Sequence, residues 1–190
     1  TDAKKISLKE MIDEKYQELI KYQNKKYADK FKRKVLNAER KISKLAIKND
    51  EYIENLVKNL YKTMAYKDEY EVARLFTDGR FSKELNSAFE SYDKMYLHLS
   101  PPFLGLKEKM TSLPRKIKVT SKILLVFRIL KKLKFLRNTF LDPFSYTYER
   151  KRERELINKL FETLDFLNAK INKNNYYDAI HVLQAFSIVR

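Results

Sequence analysis

The sequence has no cysteine and no tryptophan, and only two glycines and four prolines among 190 residues. Without cysteine there is no disulfide framework and no thiolate-ligated zinc or iron–sulfur site in this chain. The two glycines, Gly79 and Gly105, are too few for a GxGxxG or P-loop phosphate cradle. Histidine is confined to His98 and His181, which are distant in sequence and have no ligand-type carboxylates nearby. Metal binding is therefore not indicated. No serine lies in a GxSxG setting. Carboxylate neighbours such as Asp68-Glu69 occur on any charged helix and do not single out acid–base chemistry.

Long apolar runs are missing as well. The densest segment, Ile123 to Leu136, is interrupted by Arg128, Lys131, Lys132 and Lys134, which speaks against a transmembrane helix. The chain starts Thr1-Asp2-Ala3-Lys4-Lys5 with no apolar signal core behind it. It lacks an initiator Met and stops abruptly at Arg190, so it reads as an excised piece of a longer protein. The missing cysteines suit a reducing cytoplasm.

What is present points to folded helix. Apolar residues make up 44% and aromatics 13% of the chain, which argues against disorder. The length suits one domain, and no linker or repeat divides residues 1–190. Ser7-Leu8-Lys9-Glu10 has capping-box spacing and predicts a helix start. Leu8, Met11, Ile12, Tyr16, Leu19 and Ile20 follow at helical intervals, then Tyr27, Phe31, Val35, Leu36, Ile42 and Leu45. These form one long helix, or two broken near Tyr22-Gln23-Asn24. Asp50 is placed to cap a helix carrying Ile53, Leu56, Val57, Leu60, Tyr61 and Met64. Shorter helices are expected over Glu69–Phe76 and through Phe81, Leu85, Ala88 and Phe89. Thr77-Asp78-Gly79-Arg80 reads as a turn between them, with Gly79 free to take a positive φ. Arg74 stands four residues before Asp78 and can pair with it. Lys94–Leu99 alternates weakly and predicts an extended stretch. Two more helices are expected, from about Thr147 to Ile171 and through Ala179, Ile180, Val182, Leu183 and Phe186. The fold class is all-α, with five to seven helices.

Charge is the strongest composition signal. There are 41 Lys and Arg against 25 Asp and Glu, a formal net charge of +16. Between Lys109 and Leu141 stand ten basic residues and no acidic one. Leu113-Pro114-Arg115-Lys116 reads as loop, and Ser121–Arg137 as a basic amphipathic helix. Its expected apolar side is Ile123, Phe127, Leu130 and Leu133, widened by Leu124, Val126 and Leu136. Arg115, Lys116, Lys118, Arg128, Lys131, Lys132 and Arg137 are the candidates for an anionic partner. Such a partner is a phosphate-bearing cofactor, an acidic protein, nucleic acid or lipid headgroups. The alternative is a solvated face in a Lys-rich chain. Nucleic acid is not favoured, because the aromatics fall at core spacing and not between basic residues.

Several strings resemble the C-terminal region of the indolepyruvate ferredoxin oxidoreductases. They are Met64–Phe81, His98-Leu99-Ser100-Pro101-Pro102, Phe127–Arg137 and Leu141–Arg150, in the same order as in that family; Ser7–Ala28 also fits. Ser100 replaces the usual Ala, and the family's Gly-aromatic-Gly string after Ile-Arg is absent. The resemblance implies an enzyme that decarboxylates arylpyruvates oxidatively to acyl-coenzyme A, with ferredoxin as acceptor. It implies thiamine diphosphate, iron–sulfur clusters and coenzyme A for the full-length protein, all held upstream of this region. This chain has no Gly-Asp-Gly string of the thiamine diphosphate fold, so no catalytic site is expected in it. The implied partners are other domains of the same enzyme, ferredoxin on a basic surface, and a second copy in a homo-oligomer. Arg74, Asp78, Gly79, Arg80, His98, Pro101, Asp142, Tyr146 and Arg150 carry the resemblance and are expected at an interface or fold-defining turn. A freestanding basic helical module that binds nucleic acid or anionic membrane is the alternative.

Overall fold

Ser7 opens the first helix as its spacing requires. The Glu10 amide donates to the Ser7 hydroxyl, and the Ser7 amide donates back to the Glu10 carboxylate at 2.9 Å. That satisfies two of the N–H groups a helix start leaves over. In the computed structural model, residues 6–47, 50–91, 93–99 and 116–188 are described. Arg115 and Pro101 lie outside them. Among the described residues there are eight α-helices, one more than the upper end of the expected range. They are α1 (Leu8–Tyr22), α2 (Lys25–Lys44), α3 (Glu51–Met64), α4 (Glu69–Thr77), α5 (Arg80–Ala88), α6 (Ile123–Leu130), α7 (Tyr148–Lys170) and α8 (Tyr176–Ile188). A 3-10 helix follows α6 over Lys131–Leu136, and two short strands, β1 (Tyr96–Leu99) and β2 (Ile117–Thr120), complete the inventory. The chain is predominantly helical, and no helix among the described residues is long and apolar enough to cross a membrane.

The chain falls into two compact units, Thr1–Tyr66 with Glu153–Arg190, and Lys67–Arg152. The boundaries at 66/67 and 152/153 carry no glycine, proline or low-complexity signal, so the pattern of residues reads as one domain.

The first unit is an all-helical core. Chain reversal between α1 and α2 comes at Asn24, whose side-chain oxygen accepts from the Tyr27 amide at 2.9 Å. Leu19, Tyr22, Phe31, Val35, Leu56, Leu60, Leu160 and Leu183 are buried together. Each such side chain contributes roughly 1.5–3 kcal/mol on leaving water. Two tyrosine hydroxyls tie this core together. The Tyr27 hydroxyl donates to the Met64 carbonyl at 2.9 Å, and the Tyr52 amide donates to the Tyr176 hydroxyl at 3.2 Å. Burial raises the Tyr52 phenol to about 12. Asp50 stands at the N-cap of α3, but its backbone is already helical and its side chain makes no cap hydrogen bond.

The second unit has a smaller core of Ala73, Leu97 and Phe127, with Val72, Phe76, Phe81, Val119 and Ile123 packed on it. The expected extended stretch is β1. It pairs antiparallel with β2, Leu99 opposite Ile117 and His98 opposite Lys118. The second strand falls where a loop gives way to helix in the sequence pattern. Ile117-Lys118-Val119-Thr120 alternates with period two, half-buried and exposed in turn, and three of its four residues are β-branched, which suits a strand once a partner lies beside it. The basic helix is shorter than Ser121–Arg137. It is α-helical only to Leu130 and tightens to 3-10 over Lys131–Leu136.

Candidate functional site: an ion-pair frame beside a basic, apolar face

The second unit concentrates the residues singled out by the sequence. Asp68 is the N-cap of α4, and its carboxylate accepts from the Glu71 amide at 2.8 Å. The same carboxylate takes two hydrogen bonds from Arg137, at 2.5 Å from Nε and 2.8 Å from Nη2. Arg137 is 3% exposed, and its guanidinium also lies over the Tyr70 ring, 5.5 Å from the centroid. This corrects its assignment to a partner-binding surface. A guanidinium forked onto a buried carboxylate and almost wholly out of solvent is not within reach of an incoming anion.

One turn further along α4, Arg74 donates to both oxygens of Glu71, at 2.9 and 2.7 Å. It also reaches Asp78 at 3.5 Å, which is the i, i+4 pairing its spacing predicts. Asp78 in turn accepts from the Arg80 side chain at 2.9 Å and from the Arg80 amide at 3.1 Å. Burial alone would raise the Asp78 carboxyl; the hydrogen bonds from Arg80 and the charges of Arg80 and Arg74 bring it below the ordinary range. Gly79 closes this turn at φ 93°, as expected of the residue between two helices.

A third knot lies around Asp142. Its carboxylate accepts from the Tyr70 hydroxyl at 2.9 Å, the Asn138 amide at 2.9 Å and the Phe144 amide at 3.1 Å. Asn138 has φ 63°, a left-handed conformation that asparagine tolerates better than most residues. Burial and the bond to Asp142 both hold the Tyr70 phenol above its usual value. Arg150 Nε stands 3.9 Å from Glu69 Oε2, beyond hydrogen-bond distance. Burial outweighs the pull of Arg150 and raises the Glu69 carboxyl.

The remaining candidates divide. Tyr146 is exposed and its hydroxyl donates to the Phe140 carbonyl at 2.8 Å. His98 is exposed on β1, apart from the ion-pair frame. Lys131 is partly committed, donating to the Thr77 carbonyl at the end of α4 at 2.9 Å. Lys116, Lys118, Arg128 and Lys132 are exposed, and the Lys118 ammonium sits 4.0 Å from the centroid of the Tyr96 ring. Val126 points away from the core, contrary to its place in the expected apolar side. The sequence reading missed Asp68, Tyr70 and Glu71. Their signal was available: an Asp directly before a helical run is a cap, and Glu71 to Arg74 is an i, i+3 pair.

A cleft of about 350 Å³ lies between α4 and α5, lined by Val72, Leu75, Phe76 and Phe81 with Lys67, Arg80 and Glu84. It offers apolar contact and charge, without a histidine, serine or cysteine to act as base or nucleophile. Among the described residues no three His, Asp or Glu side chains are grouped to hold a metal ion.

No curated protein and no solved structure matches the chain. A family model described as a family of unknown function, DUF6537, matches residues 8–190. That match takes in both units and every candidate residue above, and the chain belongs to the DUF6537 family.

Proposed function

We propose that this chain is the C-terminal helical domain of a cytoplasmic enzyme resembling the indolepyruvate ferredoxin oxidoreductases, with an accessory role and no active site of its own. The supporting observation is where the strings that carry the resemblance end up. Asp68, Glu71, Arg74, Asp78, Arg137 and Asp142 interlock in hydrogen-bonded ion pairs and polar contacts that fix α4, the Gly79 turn and the segment after the 3-10 helix. Residues spent on each other in this way build a rigid scaffold and are not free to turn over a substrate.

In this reading the domain supports assembly of the enzyme's other domains and of a homo-oligomer. It also turns Lys116, Lys118, Arg128 and Lys132 toward an acidic partner such as ferredoxin, for which charge steering favours fast, short-lived docking. Its residues do not fit a cysteine-ligated cluster, since the chain has no thiol. Thiamine diphosphate, the clusters and coenzyme A belong to other parts of the protein. The freestanding nucleic-acid or membrane module is weaker, because Arg137 and Lys131 are committed inside the unit.

The test is an assay of the full-length protein that carries this chain, for coenzyme A-dependent reduction of a viologen dye by an arylpyruvate. Turnover by that protein and none by residues 1–190 alone is expected. A parent protein that oxidises no 2-oxoacid, or an isolated chain that does, would overturn the proposal.

A further inference from the structure

Helix α6 is apolar nearly all round, with the sequence Ile-Leu-Leu-Val-Phe-Arg-Ile-Leu. Only Phe127 is fully buried, against the Phe76 ring with centroids 6.0 Å apart. Leu125, Val126 and Ile129 share a different face at i, i+1 and i+4, and they are 60%, 53% and 66% exposed. Single exposed aliphatics are ordinary, but three adjacent ones on one helix face are a patch, and rimmed patches mark interaction sites. The charges that flank it along the chain are of one sign. Lys122 precedes the patch, Arg128 flanks it and Lys132 follows it, all exposed, within a stretch of sequence that has no acidic residue from Lys109 to Leu141.

We infer that this face docks a separate acidic protein, one that presents an apolar centre ringed by carboxylates. Charge decides the occupant. A second copy brought face to face would set three cations against three cations, and like charges across an interface cost several kcal/mol. Size decides its manner. Three aliphatics with a charged rim fall short of the ~800 Å² that each partner gives to a stable interface, and permanent seams deplete charge at their centre. The docking is therefore transient and steered by charge, with Leu125, Val126 and Ile129 setting its lifetime. The inference rests on the accessory-domain reading for its statement that a separate protein comes and goes. Its test uses no turnover, so either can fail alone.

Two labelled amphipathic helical peptides with the same Leu/Ile stripe serve as probes, one flanked by Glu and the other by Lys. Binding to the intact chain is followed by fluorescence anisotropy at low and high salt. The Glu-flanked peptide should bind, weaken as salt is raised, and lose roughly tenfold in affinity for each of Leu125→Ser and Ile129→Ser. Arg128→Glu with Lys132→Glu should reverse the preference, rejecting the Glu-flanked peptide and accepting the Lys-flanked one. In the unmodified chain the Glu-flanked peptide should also slow amide exchange within α6, a readout that does not depend on any variant folding. Equal binding of both peptides, or none, overturns the inference. So does a concentration-dependent dimer abolished by Ile129→Ser. Preferential binding through the same residues to phosphatidylserine vesicles, over the Glu-flanked peptide, overturns it in favour of a membrane surface.

Discussion

Asp68 caps the first turn of α4 and receives the Arg137 guanidinium on the same carboxylate, joining two residues 69 positions apart. Neither charge could be left alone at this depth. An unpaired buried carboxylate or guanidinium costs several kcal/mol, and the pair is tolerable because each satisfies the other.

Removing one partner should therefore be worse than removing both. Arg137→Met should cost about 3–5 kcal/mol, read by urea unfolding and by faster amide exchange in α4. Arg137→Met combined with Asp68→Asn should recover a large part of that loss. A surface role for Arg137 predicts no loss of stability, and near-neutral Arg137→Met would show that the pair holds nothing.

Glu69 gives a pH dependence of definite sign. Burial raises its folded-state pKa above the unfolded value. Its contribution to stability is then fullest below the ordinary glutamate range and is lost as pH rises through the raised folded value. Glu69→Gln cannot ionise, so its melting temperature should gain on the unmodified chain as pH is raised from 4 toward 8, taken against the ordinary Glu pKa of about 4.3. A constant difference over that interval would contradict the assignment.

At Gly79 the test is conformational. Nothing lies within 4 Å of where a Cβ would sit, so a side chain would meet no clash. The positive φ of 93° remains. Gly79→Ala should cost roughly 1–2 kcal/mol through backbone strain alone, and Gly79→Asn less. Equal losses for both, measured by thermal unfolding, would point to something other than the turn.

Charge reversal separates surface cations from structural ones. Lys116, Lys118, Arg128 and Lys132, each changed singly to Glu, should alter stability by no more than about 0.5 kcal/mol. Lys131→Glu should destabilise more, because it replaces the donor to the Thr77 carbonyl with a second acceptor. A heparin column run at two salt concentrations adds a functional contrast. Strong, steeply salt-dependent retention that the four surface reversals abolish would favour the nucleic-acid alternative over the accessory domain.

Features with local causes were legible in the sequence. The Ser7 capping box, the break at Asn24 and the Gly79 turn each depend on residues within four positions of one another, and the structure has all three. Arg74 with Asp78 was legible for the same reason. Arg137 was not. In sequence it is the last cation of an acid-free stretch and looks solvated, while the carboxylate that buries it stands before α4. The change from α to 3-10 after Leu130 is equally non-local, since Lys131 is tied to Thr77 and Arg137 to Asp68 at either end of that segment. Strand β2 needed its partner to be seen, because four alternating residues suffice only when another strand lies beside them. The core side of α6 was legible as well, since Ile123, Leu124, Phe127 and Leu130 pack on the core as their spacing predicts, and Val126 is the expected α6 position that the structure leaves in water.

The pairing of Leu99 with Ile117 has a consequence for chain length. Whatever joins positions 99 and 117, its two ends are closed at one fixed point. Loop-closure entropy grows only as the logarithm of length, about 0.6 kcal/mol for each doubling. Closing the chain between these positions is therefore a cost that the β1–β2 ladder must offset, and it does so with Leu97, Leu99 and Val119 packed on the small core of Ala73 and Phe127.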